Sequence, residues 1–202
     1  MFAVRFHGRG GQGAVTAADL LALAAFEEGR YAQSFPSFGS ERMGAPVVAY
    51  CRLDEREIRT REPVMTPDCL IVIDPTLVHQ VDLFAGLDPN GYVLINSTRT
   101  LDELGLGSLA ERFRPERLLT VPATEVAVRQ LGRPLPNAAL LGSFAALTAE
   151  VTIGAVGSAI RERFSRAPSV AERNVAAAAE LFRLGRQVLT ANGRAVLGAP
   201  PD

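Results

Sequence analysis

The sequence is poor in the residues that hold metal ions and redox centres. Its 202 residues include two cysteines, Cys51 and Cys69, two histidines, His7 and His79, and no tryptophan. An iron–sulfur cluster takes four protein ligands, and the two cysteines do not form a Cys–x–x–Cys pair. We therefore expect no cluster and no metal site held by this chain alone. Both cysteines lie in apolar stretches, which favours buried free thiols over a disulfide.

Excess charge and long apolar runs are also missing. Lys and Arg number 21, Asp and Glu number 22, and the formal net charge is −1. A near-neutral chain has no electrostatic attraction for nucleic acid or an anionic membrane, so we expect neither as a partner. No apolar run reaches the roughly 18 residues of a membrane span, and no signal-peptide pattern opens the chain. These features predict a cytoplasmic protein.

Short apolar strands alternate with helical stretches along the first two thirds of the chain. Strand patterns occur at 2–6, 30–35, 45–53, 57–62, 69–74, 91–96 and 117–122. Helical patterns occur at 14–29, 75–87, 123–132, 137–151, 153–164 and 169–189. This alternation predicts an α/β fold of three layers, with a mostly parallel sheet, flanking helices and a helical C-terminal third. We assign residues 1–192 to a single domain and 193–202 to a disordered tail.

A glycine-rich loop, "GRGGQG", connects the first strand to the first helix. Gly8, Gly10 and Gly13 satisfy the pattern G-x-G-x-x-G in the strand-to-helix context that gives it meaning. A helix start offers unpaired N–H groups to an anion, and Arg9 adds a cation beside them. The candidate ligand-binding residues are Gly8, Arg9, Gly10, Gly11, Gln12 and Gly13.

The loop alone leaves three interpretations open. Dinucleotide binding needs a ribose-binding acid about 20 residues on, after a second strand, but Glu28 lies at the end of the first helix. A Walker-type loop is excluded, because Ala14 and Val15 stand where Lys and Ser or Thr belong. The glycines therefore predict dinucleotide binding, binding of another phosphate or acyl ligand, or close packing at a subunit contact.

A second segment, "FPSFGSERMGAPVV" at 35–48, combines loop residues with apolar and charged side chains. Phe35, Phe38 and Met43 accompany the charged pair Glu41 and Arg42. Aromatic residues and Arg are enriched in interface cores, which favours a docking surface. The alternative is a loop packed on its own domain, with a weak surface ion pair.

Together, "GRGGQG" at 8–13 and "PSFGSERMGAPVVAYCRLDEREI" at 36–58 resemble the gamma subunit of the 2-oxoacid:ferredoxin oxidoreductases, of the pyruvate/ketoisovalerate type. That family has a G-x-G-G-Q-G loop and then an S-[YF]-G-x-E-x-[RM]-G-[GA] stretch. The matching residues are Gly10, Gly11, Gln12 and Gly13, followed by Ser37, Phe38, Gly39, Glu41 and Gly44. Met43 followed by Ala45 departs from many relatives, which carry a basic residue and a second glycine.

The resemblance implies a non-redox subunit of a complex that oxidatively decarboxylates a 2-oxoacid to an acyl-CoA. Thiamine diphosphate, Mg²⁺ and iron–sulfur clusters would be held by alpha, beta and ferredoxin-type chains, with ferredoxin as the electron acceptor of the complex. This chain would supply assembly and access for coenzyme A, and it could self-associate when isolated. The implied interface residues are Phe38, Gly39, Glu41, Arg42 and Gly44. The alternatives are a stand-alone NAD(P)-dependent dehydrogenase and a purely structural interaction subunit.

Overall fold

A six-stranded sheet forms the centre of the protein. The computed structural model describes residues 1–37 and 43–197. The strands are β1 (Phe2–Arg9), β2 (Tyr31–Pro36), β3 (Pro46–Asp54), β4 (Cys69–Val72), β5 (Tyr92–Asn96) and β6 (Leu118–Val121). They lie side by side in the order β2-β3-β1-β4-β5-β6.

The sheet is mixed, but only β3 runs against the other strands. β1, β4, β5 and β6 pair in parallel, with Val4 opposite Cys69 at the start of the β1–β4 ladder. β3 pairs antiparallel with β1 on one side and with β2 on the other. The predicted α/β class with a mostly parallel sheet is confirmed. β3 therefore separates β2 from β1 in the sheet.

Helices cover one face of the sheet. They are α1 (Ala14–Glu27), α3 (Ala123–Leu131), α4 (Asn137–Thr148), α5 (Ile153–Arg163) and α6 (Pro168–Leu197). The short α2 (Gly107–Ala110) follows Leu106, which packs in the core of the opposite face. α1, α4, α5 and α6 share one apolar core with alternate residues of the strands, such as Val4 and Phe6 of β1. α4 packs so closely on α6 that a Cβ atom on Gly142 would lie 1.9 Å from the Ala178 carbonyl oxygen. The predicted helical C-terminal third is confirmed.

The opposite face is covered mainly by turns, where a helix was predicted at 75–87. Only Pro75–His79 is helical, as a 3₁₀ turn, so that prediction is wrong beyond His79. The reason is a buried cation. Arg5 Nη2 donates to the carbonyl oxygens of Leu83, at 2.8 Å, and Ala85, at 2.7 Å. In an α-helix the Leu83 carbonyl oxygen would accept the Leu87 N–H instead.

The predicted strand at 57–62 is also wrong, because the sheet has no place for it. β3 is already paired on both sides, so it cannot form a hairpin with the segment that follows. The segment instead crosses the turn-covered face, where Val64 is buried against Ala3 and Tyr50. The Glu62 carbonyl oxygen accepts a hydrogen bond from the Arg52 guanidinium.

Two basic side chains of β1, Arg5 and His7, lie on the turn-covered face and are each 7% exposed. The Nε2 atom of His7 has no hydrogen-bond partner among the described residues. Burial, reinforced by the positive charge of Arg5, lowers the pKa of His7 to about 4. His7 is therefore neutral at physiological pH and acts as a structural core residue.

Candidate functional site

The glycine loop lies at the carboxyl end of β1 and leads directly into α1. Gly13 is the N-cap residue, with a left-handed φ of 79°, and Gly11 has a φ of 93°. A Cβ atom on Gly13 would lie 2.4 Å from Asn137 Nδ2, so the position has no room for a side chain. α1 begins without a side-chain cap, which leaves first-turn N–H groups free of a capping side chain.

The loop borders a switch point in the sheet. From β1 the chain turns to α1 on the helical face, and from the neighbouring β4 it turns to Pro75–His79 on the other face. In open α/β sheets, the crevice between two such strands is where ligands bind. Here polar side chains from both strand ends fill that crevice.

Arg9 spans the crevice and is engaged by acceptors within the protein. Its Nε lies 3.2 Å from Asp74 Oδ2, and its Nη1 donates to the Gly44 carbonyl oxygen at 3.1 Å. Its Nη2 donates to Thr76 Oγ1 and Gln80 Oε1, each at 2.8 Å. The guanidinium therefore ties the glycine loop to the end of β4. These acceptors within the protein account for the position of the Arg9 guanidinium without an external anion.

Gln12 and Asp74 complete this polar network. Gln12 Oε1 accepts from the Arg9 N–H at 2.8 Å, and Gln12 Nε2 donates to Asp74 Oδ2 at 2.7 Å. Thr76 donates to Asp74 Oδ1 through its N–H, at 2.9 Å, and its hydroxyl, at 2.6 Å. Burial opposes ionisation of Asp74, but the hydrogen bonds from Thr76 and Gln12 and the charge of Arg9 outweigh it. The pKa of Asp74 is therefore lowered, and the side chain is a carboxylate at neutral pH.

A second polar link joins the neighbouring strand ends. Asn96 Nδ2 donates to the Ile73 carbonyl oxygen and to Thr124 Oγ1, each at 2.8 Å. The Thr124 N–H donates back to Asn96 Oδ1 at 3.0 Å. This link fixes the start of α3 beside the ends of β4 and β5.

The two sequence motifs meet in space. The Gly10 N–H donates to the Ala45 carbonyl oxygen at 2.9 Å, and the Gly44 N–H donates to the Gly10 carbonyl oxygen at 3.1 Å. Met43 lies next to them and is 90% exposed. Of the predicted interface residues, Gly44 is thus in contact with the glycine loop. Phe38, Gly39, Glu41 and Arg42 lie outside the described residues.

Two cavities flank the glycine loop. The first, the strand-end cavity, has a volume of 470 Å³ and is lined by residues that include Gly10, Gln12, Met43, Asp74, Asn96 and Thr124. The second, the arginine cavity, has a volume of 490 Å³ and is lined by residues that include Gly13, Thr16, Arg133, Asn137, Arg163 and Arg173. Gly11 and Leu135 line both. The loop therefore separates two ligand-sized spaces.

The sequence of the chain matches a known family over most of its length. The model of the family described as "Pyruvate ferredoxin/flavodoxin oxidoreductase" matches residues 3–184. The chain belongs to this family. The "Pyruvate/ketoisovalerate oxidoreductases common subunit gamma" of Pyrococcus abyssi is 47% identical over 182 residues, which cover 90% of this chain and 96% of the relative.

Two solved structures share the fold. The pyruvate oxidoreductase subunit PORC of Thermotoga maritima is 32% identical, with a TM-score of 0.75 over 90% of this chain and 95% of that chain. The 2-oxoglutarate:ferredoxin oxidoreductase of Magnetococcus marinus, solved with 2-oxoglutarate, coenzyme A and succinyl-CoA, is 18% identical. It has a TM-score of 0.67 over 94% of this chain but only 31% of its own chain. The fold recurs there as part of a larger chain.

Within residues 1–37 and 43–197, no group of three or more His, Cys, Asp or Glu is placed to hold a metal ion. None of the described helices is long and apolar enough to cross a membrane. Sequence reasoning identified the glycine loop but missed Asp74, Asn96 and the cavity arginines. A polar residue directly after a buried strand was the available signal for Asp74 and Asn96. The arginines carry no local signal, since they come from distant segments.

Proposed function

We propose that this chain is the gamma subunit of a 2-oxoacid:ferredoxin oxidoreductase complex, which converts a 2-oxoacid to an acyl-CoA. The observation that carries this proposal is the match to a gamma subunit over 96% of that relative's length. With only two cysteines in the sequence, the chain cannot provide the four thiolates of an iron–sulfur cluster. Its part in the reaction is therefore binding and assembly.

The redox and decarboxylation chemistry then belongs to other subunits. We assign thiamine diphosphate and Mg²⁺ to alpha and beta chains, and the clusters that reduce ferredoxin to a ferredoxin-type chain. We place the complex in the cytoplasm, where Cys51 and Cys69, both free and buried, would stay reduced. Copurification of alpha, beta and ferredoxin-type chains with a tagged gamma chain tests the assignment.

The dehydrogenase alternative is not favoured by the strand order. A dinucleotide-binding unit places its second strand beside the first, so that an acid at the end of that strand reaches the ribose. Here β3 lies between β1 and β2. Glu28 is engaged elsewhere, since its Oε1 accepts the Thr152 N–H at 3.0 Å. Binding of NADH by the isolated chain would revive that alternative.

We propose that the glycine loop binds a phosphate-bearing part of coenzyme A. Gly10 and Gln12 use their N–H groups within the protein, so the donors left for a ligand are those of Gly11, Gly13 and the uncapped first turn of α1. The predicted role of Arg9 changes: it holds the loop in place rather than contacting the anion. A protein of the same fold was solved with coenzyme A, which makes this coenzyme the first to test.

The test is calorimetric titration of coenzyme A into the isolated full chain and into the reconstituted complex. Gly11→Asp places a side chain and a negative charge on the exposed loop, and should weaken binding at least tenfold. Gly29→Asp is the matched control, since Gly29 also has a positive φ, of 78°, and has no neighbouring atom within 4 Å at the other end of α1. Equal affinity in the two variants would rule out the loop as the coenzyme site.

We also propose that the segment 36–45 docks the catalytic chains, with Phe38, Gly39, Glu41, Arg42 and Gly44 at the contact. The exposure of Met43 and the backbone pairing of Gly44 with the loop support this placement. Glu41→Ala with Arg42→Ala should reduce copurification of the alpha and beta chains. The control removes Glu57 and Arg59, an exposed ion pair at 3.0 Å. Undiminished assembly of the first variant would refute the docking role.

A further inference from the structure

We propose that the outer edge of β2 binds a second copy of this chain, so that two β2 strands pair antiparallel and join the two six-stranded sheets into one. β2 is the outermost strand of the sheet, next to β3. Within 1–37 and 43–197, no strand pairs with its outer edge. An open strand edge is a template for another strand, and the inference does not depend on coenzyme binding.

The backbone of β2 shows which groups point outward. Ser37 donates its N–H to the carbonyl oxygen of Val48 on β3 at 2.8 Å, which makes Ser37 a hydrogen-bonded position of this ladder. The bonding direction alternates along an antiparallel strand, so Ala32, Ser34 and Pro36 direct their backbone groups away from β3. Pro36 has no N–H to leave unpaired there. The open donors are therefore the N–H groups of Ala32 and Ser34.

These open groups are complementary to those of an identical strand. When two β2 strands pair about a two-fold axis at Gln33, Ala32 of each copy lies opposite Ser34 of the other. Each of these pairs exchanges both backbone N–H···O bonds. Residues 31–36 carry no charge, so the two strands meet without like-charge repulsion along the ladder.

The same register pairs aromatic side chains. Tyr31 and Phe35 lie on the turn-covered face, where the Phe35 ring centre is 5.2 Å from that of Tyr50. About the axis at Gln33, Tyr31 of each copy lies opposite Phe35 of the other. Cross-strand aromatic pairs stabilise antiparallel sheets, and pairing would bury Tyr31, which is 52% exposed in the single chain. The strand therefore fits a second copy of itself.

One side of α1 extends this surface beyond the strand. Asp19 Oδ1 accepts a hydrogen bond from Ser34 Oγ at 2.7 Å, which places that side of α1 beside β2. Phe26 lies on the same side of the helix, seven residues further on, and is 69% exposed. At about 150–250 Å² per aromatic side chain, the exposed parts of Phe26 and Tyr31 in two copies amount to about 360–600 Å². That is about a third to a half of the roughly 1,200 Å² of a small specific interface, before the strands themselves are counted.

The spacing of the two α1 helices in such a dimer suits helix packing. α1 packs over both β2 and β3, and neighbouring strands lie about 4.8 Å apart. With its axis above the gap between these strands, each α1 lies about half a strand spacing inside β2. The two α1 helices would then be about 10 Å apart, close to the 8–10 Å that is typical of packed helices. The two Asp19 carboxylates would approach each other in the same gap, and their repulsion limits the affinity.

Cysteine cross-linking of the full chain tests the register. Gln33→Cys would set two thiols opposite each other with Cα atoms about 4.5 Å apart, within reach of a disulfide. Tyr31→Cys is the control, since its two Cα atoms would be about 14 Å apart in the same dimer, although Tyr31 is the more exposed residue. The native thiols of Cys51 and Cys69 are buried. Under mild oxidation, Gln33→Cys should form a covalent dimer of the 21.6 kDa chain, and Tyr31→Cys should not.

Sedimentation equilibrium of the full chain measures the affinity. Phe26→Lys should raise the Kd of the dimer at least about tenfold, because the loss occurs in both copies. Met65→Lys is the matched control, since Met65 is 72% exposed away from β2, and should stay within about threefold of wild type. Asp19→Asn keeps an acceptor for Ser34 but removes two like charges, and should lower the Kd at least about twofold. Thermal unfolding shows whether each variant is folded.

Three results would overturn the proposal. The first is a wild-type chain that sediments as a monomer at the highest soluble concentration. The second is a dimer in which Gln33→Cys and Tyr31→Cys cross-link equally, or in which Phe26→Lys matches Met65→Lys, since either places the contact elsewhere. The third concerns the reconstituted complex, where the Gln33→Cys cross-link between two gamma chains should persist. Its loss on addition of alpha and beta chains would assign the β2 edge to a strand of a catalytic chain instead.

Discussion

Replacing Asp74 with asparagine tests whether the polar network at the end of β4 holds the glycine loop in place. Asp74 is 8% exposed, and its Oδ2 atom accepts from both Gln12 Nε2 and Arg9 Nε. Asparagine keeps one oxygen for Thr76 but places an N–H₂ group where Oδ2 stood. The donors of Gln12 and Arg9 would then face another donor.

The expected cost follows from the two lost contacts. A hydrogen bond to a charged group contributes about 1.5–3 kcal/mol net. The share of Arg9 is smaller, because its side chain is 23% exposed and partly screened by water. We therefore expect Asp74→Asn to lower the free energy of unfolding by about 2–3 kcal/mol. At roughly 2–4 °C per kcal/mol for a domain of this size, Tm should fall by about 5–10 °C.

The cost should depend on pH in a defined direction. The pKa of Asp74 is lower in the folded protein than in the unfolded chain, so the stabilisation is present above the unfolded pKa, about 3.9, and is lost as pH falls through the folded pKa. The difference between wild type and variant should therefore be full near about pH 7 and shrink below about pH 4. Urea unfolding followed by circular dichroism at several pH values measures it.

Glu111→Gln is the control, since Glu111 is exposed on the segment after α2. It should change the free energy of unfolding by less than about 0.5 kcal/mol. A loss of that small size in Asp74→Asn, or a loss that does not change with pH, would refute the assignment of the network as the support of the loop.

Three further predictions concern packing and pH. Gly13→Ala should lower the free energy of unfolding by about 1–2 kcal/mol from its left-handed φ alone, and further because the added Cβ meets the Asn137 side chain. Asn137→Ala in the same chain should restore the part due to that contact, as thermal unfolding would show. Gly142→Ala should cost more than about 3 kcal/mol, because the added Cβ would meet the Ala178 carbonyl oxygen at 1.9 Å; a folded variant with unchanged Tm contradicts this packing. The pKa of His7 is lowered to about 4 in the folded protein, so neutral His7 adds nothing unfavourable to the free energy of unfolding above about pH 6.5. As pH falls below that value, the unfolded chain takes up the proton first, and the free energy of unfolding decreases by up to about 3 kcal/mol. His7→Leu should remove that part of the acid sensitivity in urea unfolding, and an unaltered pH profile would contradict it.

Local sequence patterns predicted the elements whose periodicity is strong. All six strands and the long helices were expected near their observed positions, because apolar runs and Ala- and Leu-rich stretches are local signals. The strand at 57–62 failed for a non-local reason, since both sides of β3 were already taken. The helix at 75–87 failed because Arg5, far away in sequence, needs the carbonyl groups of that segment.

In the candidate site too, local patterns predicted some residues, while others depend on contacts between distant parts of the chain. The glycine loop and the 36–45 segment were recognisable from their spacing, and the structure brings Gly10 and Gly44 into contact. The role observed for Arg9 was not foreseeable from the loop alone, because Asp74 reaches it only through the pairing of β1 with β4. The arginine cavity depends on how α5 packs against α1 and α6 against α5, which no local pattern encodes.

The position of β1 has a consequence for biosynthesis. β1 lies between β3 and β4 in the sheet, and it leaves the ribosome before either of them. The Arg9–Asp74 contact cannot form until β4 has emerged, and the cavity remains open on one side until Arg173 of α6 is made. The side-chain contacts of the loop can therefore form once β4 has been made, whereas the arginine cavity is complete only after Arg173 of α6 has been made.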